Sequence, residues 1–283
     1  MIEERSIDHI IKEFSKLGYT LRKVACTNQK MLLENQGINA YGERSLAIDL
    51  LLESLCIDHL KDMPQVSEIY SEELGRYRFN RDGYKLIIDP LDGTKNYNMG
   101  ISYYSCAIAV LDSANQLVAG YIINLSSGHE FYAVKGKGAY HLGKPIASGK
   151  YKSLQDCDGI FVGLSKEPAQ IEVLNHFMAR MNSYRALGCA SLDICIVAKG
   201  KAGVFVDLSN TAKIVDVLAS SIILEESGGT ITDLEGIPIT SYCCQSEDLE
   251  RIVFNKKFCT VAAADKELHN LLLHSASNLV YNH

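Results

Sequence analysis

Ile7, Ile10, Ile11, Phe14 and Leu17 recur every three or four residues, the spacing that lays one apolar stripe along an α-helix. Gly18 follows where a left-handed residue commonly closes such a helix, so the pattern predicts an amphipathic first helix that stops there. Helical patterning returns over 27–33 and 44–60, and the Asn- and Gly-rich stretch 35–42 between them predicts a loop. From Val66 onward the apolar runs shorten and become β-branched and aromatic. Residues 66–70, 84–88, 103–110, 118–124 and 130–134 read as strands of a largely antiparallel sheet. A helix over 169–181 opens a second alternation, with strands at 184–187, 204–207, 230–232, 252–254 and 260–263 and helices at 191–199, 216–227 and 265–274. The change of rhythm divides the chain into an N-terminal α+β subdomain, residues 1–150, and a C-terminal α/β subdomain, residues 151–283, that completes a shared site. No segment repeats another, which removes solenoids and propellers.

Composition narrows the function classes. Of 283 residues, 47% are apolar and 22% charged, enough for a sizeable core and too apolar for a disordered chain. Lys and Arg total 28 against 34 Asp and Glu, a formal charge of −6, with no basic block that would bind a nucleic-acid backbone. The nine cysteines include no C-x-x-C pair and no zinc-like spacing, which fits a reducing cytoplasm. Met1 to Ser6 is charged where a signal peptide is apolar, and no stretch approaches the roughly 20 apolar residues of a membrane span, so a soluble, unprocessed chain is expected.

Candidate chemistry concentrates where one strand ends. Lys85-Leu86-Ile87-Ile88 runs into Asp89-Pro90-Leu91-Asp92-Gly93-Thr94. Pro90 biases Asp89 toward extended backbone, and Gly93 permits a close approach of the main chain to a ligand. Two carboxylates converging from so short a segment repel each other unless a cation or a proton lies between them, and oxygen donors suit Mg²⁺. If a helical turn starts at Thr94, the N–H groups of Gly93 and Thr94 form an anion site beside that metal. Metal and anion pocket together point to phosphate chemistry. The D-x-D-G-T of phosphatases that work through an aspartyl phosphate is one residue shorter and puts its two Asp on one strand face, so the spacing here argues against it. A plain Asx turn would need neither the second carboxylate nor Thr94. Glu72-Glu73 and Asp216 add acids elsewhere; taken alone they read as solvated charge and as a helix N-cap.

Ser71-Glu72-Glu73, the run from Asp89 to Thr94, and Val215-Asp216 followed by Ala219 and Glu226-Ser227-Gly228-Gly229 resemble, in order and separation, the inositol monophosphatase and fructose-1,6-bisphosphatase superfamily. Gly136-Lys137-Gly138-Ala139-Tyr140 and Arg185-Ala186-Leu187-Gly188 are similar to its intervening segments. Val215, where many members carry Trp, and the stretches 69–75 and 123–133 look closest to archaeal-type members that act on both inositol phosphate and fructose bisphosphate. The resemblance implies a layered αβαβα sandwich of the sugar phosphatase type, a homodimer, and two or three Mg²⁺ per active site. It implies Glu72, Asp89, Asp92 and Asp216 as side-chain metal ligands, the Leu91 carbonyl as a further ligand, and Gly93 and Thr94 as phosphate binders. Asp49 best matches the acid that activates the attacking water with the motif threonine, with Ala47 and Ile48 standing where the family reads T-x-D or T-D. Asn39-Ala40-Tyr41-Gly42-Glu43 is similar to an N-x-x-G-E whose loop helps bind an additional metal, with Arg44 in place of the next acid.

The expected activity is therefore Mg²⁺-dependent hydrolysis of inositol monophosphate, fructose 1,6-bisphosphate or both, with Asp49, Thr94 and Glu72 acting on the water. On the organic side, Asp207 ends an apolar strand and is a candidate acceptor for sugar or cyclitol hydroxyls. Arg185 and Lys213 are candidate partners for a distal phosphate, and Gly188 and Cys189 would line the pocket from a helix N-terminus. Two alternatives stay open: a 3′-phosphoadenosine 5′-phosphate phosphatase, and a non-catalytic phosphate- or metal-binding descendant of the fold.

Overall fold

The computed structural model describes residues 2–27, 35–42, 44–162, 167–244 and 248–280. The first half runs α1 (Ile2–Ala25), β1 (Asn35–Ile38), β2 (Arg44–Leu46), α2 (Ala47–Leu60), β3 (Val66–Ser71), β4 (Gly75–Arg78), β5 (Tyr84–Asp92), α3 (Thr94–Met99), β6 (Ser105–Leu111), β7 (Leu117–Asn124), β8 (Glu130–Val134), β9 (Gly138–His141) and β10 (Lys144–Ile146). The second half runs β11 (Asp158–Val162), α4 (Pro168–Met178), β12 (Ser183–Arg185), α5 (Ala190–Ala198), β13 (Val204–Ala212), α6 (Ile214–Glu226), β14 (Thr230–Thr232), α7 (Ser241–Cys244), α8 (Leu249–Asn255), β15 (Phe258–Ala263) and α9 (Lys266–Val280). Strands β10-β9-β8-β7-β6-β5-β3-β4 form one sheet and β12-β11-β13-β15-β14 a second.

Side-chain alternation on the strands builds the layers. On β5, Leu86 and Ile88 point to a core shared with α1 and α2, while Ile87 points to the opposite core. On β6, Cys106, Ile108 and Val110 join the first core, and Ala107 and Ala109 the other. That second core is closed by α5 and α6 and continues to Phe205 and Ala262 of the smaller sheet. The far face of the smaller sheet packs Val206 and Val261 against Phe177 of α4 and Leu272 of α9. The result is helices, sheet, helices, sheet, helices, the layered sandwich that the resemblance implies. Gly120 on β7 lets α6 press onto the first sheet: a Cβ there would lie 2.3 Å from the Ala219 carbonyl oxygen.

Several local expectations are corrected. Gly18 does not end α1, which continues to Ala25; it sits mid-helix because a Cβ would meet the Tyr121 hydroxyl at 2.4 Å, so close packing and not chain reversal selects it. The stretch 35–42 is not all loop, since β1 pairs antiparallel with β2, and the third helix starts at Ala47 rather than at 44. The strand expected at 252–254 is part of α8, where the Asp248 side chain accepts from the Arg251 N–H and Leu249 and Val253 recur one turn apart on the buried side. The helix expected over 27–33 falls almost wholly outside the described residues.

Candidate active site

The end of the first sheet gathers acids from three elements. Parallel pairing of β3 with β5 sets Ser71 opposite Ile88, so Glu72 emerges alongside Asp89. The ladder between β5 and β6 shifts register between Asp89 and Asp92, where Pro90 has no N–H to give. Asp89 lies opposite Ala107 and Asp92 opposite Ser105. Those partners are two apart, so the extra residue on β5 returns both Asp side chains to one face. The bulge thus supplies, where strict alternation would not, the convergence of the two acids expected from the sequence. Asp216 arrives from the first turn of α6. Taken alone it reads as an N-cap, but it is the third residue of the helix, with its Oδ2 accepting the N–H of the capping Lys213 at 2.7 Å.

Carboxylate oxygens of Glu72, Asp89 and Asp216 all lie within 4.8 Å of one another. Burial, then the charges of Glu72, Asp92 and Asp216, drives the Asp89 carboxyl well above its ordinary value. Burial and then Glu72 do the same to Asp216, partly offset by the Lys213 N–H. Asp92 stands beside them on a fixed mount: its Oδ2 accepts from the Ser191 N–H at 2.8 Å, the Ser191 hydroxyl at 2.6 Å and the Cys189 thiol at 3.1 Å. Burial raises its carboxyl also, with the Ser191 hydroxyl opposing.

Surrounding groups hold this arrangement. Fully buried Glu53 accepts the N–H groups of Glu73 at 2.8 Å and Leu74 at 2.7 Å, which fixes the turn that follows Glu72. The Glu73 carboxyl is pushed up to about 8, mainly by burial. Asp49 on α2 accepts the Leu46 N–H through Oδ2 at 2.8 Å, while its buried Oδ1 has no hydrogen-bond partner. Burial pushes this carboxyl up to about 7, against the lowering effect of the Leu46 N–H; the Glu72 charge adds to the rise and the neighbouring Thr94 hydroxyl opposes it. That hydroxyl donates to the Leu91 carbonyl at 2.9 Å. Gly93 caps α3 with φ 87, and a Cβ on it would lie 3.1 Å from the Tyr103 carbonyl oxygen, so only glycine suits the position.

The other predicted positions divide. Gly188, at φ +79, and Cys189 lie against this site: Asn96 of α3 donates to the Leu187 carbonyl at 2.7 Å, and the Cys189 thiol turns to Asp92 and Ser105. Arg185 is exposed on edge strand β12, where its guanidinium donates to the Tyr184 carbonyl at 2.7 Å. Asp207 is 2% exposed and accepts the Ser209 N–H at 2.8 Å. Tyr41 stacks on Phe254 and donates to Glu250, and the Ala40 N–H reaches the Glu73 carbonyl, whereas Glu43 lies outside the described residues. Ser191, Glu53 and Asn96 were not read from sequence as site residues. Among the described residues, no helix is long and apolar enough to cross a membrane.

Fold and relatives together define a phosphoric monoester hydrolase. The chain belongs to the inositol monophosphatase family, whose model matches residues 10–281. It is 30% identical over 251 residues to a fructose-1,6-bisphosphatase/inositol-1-monophosphatase of Methanothermobacter thermautotrophicus, a match spanning 83% of this chain and 84% of that one. It is 31% identical over 221 residues to a bifunctional NADP phosphatase/NAD kinase of Methanococcus maripaludis, covering 70% of this chain and 38% of the longer relative. The inositol monophosphatase structure from Thermotoga maritima superposes with a TM-score of 0.74 at 22% identity, covering 98% of each chain, and shows the same fold.

Proposed function

We propose that this chain is a Mg²⁺-dependent phosphomonoesterase that hydrolyses inositol monophosphate, fructose 1,6-bisphosphate or both. The observation that carries the reading is the convergence of Glu72, Asp89 and Asp216 within 4.8 Å, beside Asp92. Carboxylates packed this closely, Asp89 buried and Glu72, Asp92 and Asp216 half-buried, cannot all remain anionic without added positive charge. The donors are all oxygen, as Mg²⁺ requires, and Glu72, Asp89, Asp92 and Asp216 with the Leu91 carbonyl would hold two such ions, or three. When bound, the ions would lower the pKa of a water and neutralise charge on the phosphoryl oxygens.

The chain's own groups supply the rest of the reaction. Asp49 takes the proton of the attacking water through its unpartnered Oδ1. Thr94, held by the Leu91 carbonyl, orients that water with Glu72. The N–H groups of the capping Gly93 and of Thr94, the first residue of α3, point out of the helix start and hold the substrate phosphate. Gly188 and Cys189 wall the pocket on the side of α5. We extend the proposal to a cytoplasmic location and to a homodimer, the latter checked by sedimentation of the purified chain.

The test is phosphate release from inositol 1-phosphate, fructose 1,6-bisphosphate, NADP and 3′-phosphoadenosine 5′-phosphate, with Mg²⁺ and with chelator. NADP belongs in the panel because a relative is named for its hydrolysis. Mg²⁺-dependent release from the first two is expected. Release confined to a nucleotide would reassign the substrate, and no release from any compound would reject the enzymatic reading.

A further inference from the structure

Lys213 is 5% exposed, and its Nζ lies 3.3 Å from Glu72 Oε1. The same Glu72 carboxylate sits within 4.8 Å of Asp89 and Asp216 oxygens. Lys213 is also joined to Asp216 through its main chain, which donates to Oδ2 at 2.7 Å, and its positive charge lowers the Asp216 carboxyl. A buried lysine needs an anion partner, and this one lies in the densest group of anions in the described molecule.

From this placement we infer that Lys213 is a built-in cation of the carboxylate cluster, which competes with a divalent ion for Glu72 and, once displaced, delivers its charge to the substrate phosphate. The inference rests on the proposed metal-dependent reading and deepens it. The contact is loose for a charge-assisted hydrogen bond, which is commonly about 2.7–2.9 Å, as expected of an ammonium sharing its charge among several carboxylates. A divalent ion coordinates carboxylate oxygen at about 2.0–2.1 Å, so an ion and an ammonium on one Glu72 carboxylate repel each other at short range. The four-carbon stem lets the ammonium swing while the N-cap backbone stays fixed on Asp216. The anion that replaces Glu72 as its partner is then the phosphate dianion, held beside the same acids by the first turn of α3.

Calorimetric titration of Mg²⁺ into the metal-free full chain tests the competition, and titration of inorganic phosphate into the Mg²⁺-loaded chain tests the second role. Lys213→Met is expected to bind Mg²⁺ roughly tenfold more tightly than the unaltered protein and phosphate roughly tenfold more weakly, a shift of one power of ten in each constant. Lys213→Gln, which keeps a polar head without the charge, should do the same and replaces the Met variant if that one melts early. Lys213→Arg should restore the original Mg²⁺ affinity. A folded neutral variant that binds Mg²⁺ no more tightly than the parent overturns the inference and leaves the metal-dependent reading intact. A parent chain that binds no Mg²⁺ rejects the metal-dependent reading itself.

Discussion

Asp89 and Asp233 are equally buried, each 3% exposed, and their surroundings are opposite. Asp233 is satisfied by its own turn: Oδ1 accepts the N–H groups of Glu235 at 2.9 Å and Ile237 at 2.8 Å, and Oδ2 accepts the Tyr242 hydroxyl. Asp89 has one such donor, the Leu91 N–H at 2.9 Å, and otherwise faces Glu72 and Asp216. Burial is therefore no mark of function in an acid. What separates the two is whether the protein supplies the donors or leaves the negative charge to be met by something that binds.

The sharpest way to break this contrast is Asp89→Asn. It should cut phosphate release by at least roughly a hundredfold and abolish most of the Mg²⁺ heat in calorimetry, because it removes a ligand rather than its support. Unchanged Mg²⁺ binding would erase the distinction between the two acids.

Next in size is the pH response of the metal-free chain. An acid whose carboxyl is raised by folding binds more protons folded than unfolded, so its contribution to stability is present at low pH and fades as pH climbs from about 4 toward the folded value. Asp49 at about 7 and Glu73 at about 8 set the upper edge of that window, with Asp89 and Asp216 raised in the same direction. Melting temperature in chelator should therefore fall across it, and added Mg²⁺ should reverse the trend. A metal-free melting curve that rises over the same range would contradict the cluster's repulsion.

Ser191→Ala removes one of the two Ser191 donors from Asp92 and should weaken Mg²⁺ binding by roughly 10- to 100-fold with the fold intact, read by calorimetry beside circular dichroism. The smallest effect belongs to Asp233→Asn. It should cost about 1 kcal/mol in denaturant unfolding, since an amide oxygen can still accept the Glu235 and Ile237 N–H groups while the Tyr242 hydroxyl loses its acceptor, and leave Mg²⁺ affinity alone. A change in metal binding there would mean that the two acids are coupled.

The run from Asp89 to Thr94 was legible because its acids, its proline and its turn glycine are contiguous, so local chemistry alone suggested a metal beside an anion. The layered sandwich was legible only through the family resemblance, because Leu86-Ile87-Ile88 is apolar throughout and only the fold sends Ile87 to the opposite core. Gly18 misled because a glycine after an apolar stripe marks a helix end locally, while its reason here is Tyr121, far along the chain. Ser191 supports Asp92 from 99 residues away, Glu53 reaches Glu73 across 20, and Lys213 meets Glu72 across 141, separations over which no pattern in one sequence carries a signal.

By itself, then, the order of residues determined which segments bury one face, where an apolar strand gives way to acids and a proline, and which acids and turn residues were available for phosphate chemistry. Only the tertiary structure decided that a bulge brings Asp89 and Asp92 to one face and that Asp216 sits at the third position of α6. The physical reason is range. Backbone preference and apolar period act over a few residues, whereas the field at a buried carboxylate depends on every charge within several ångströms, whatever its place in the chain.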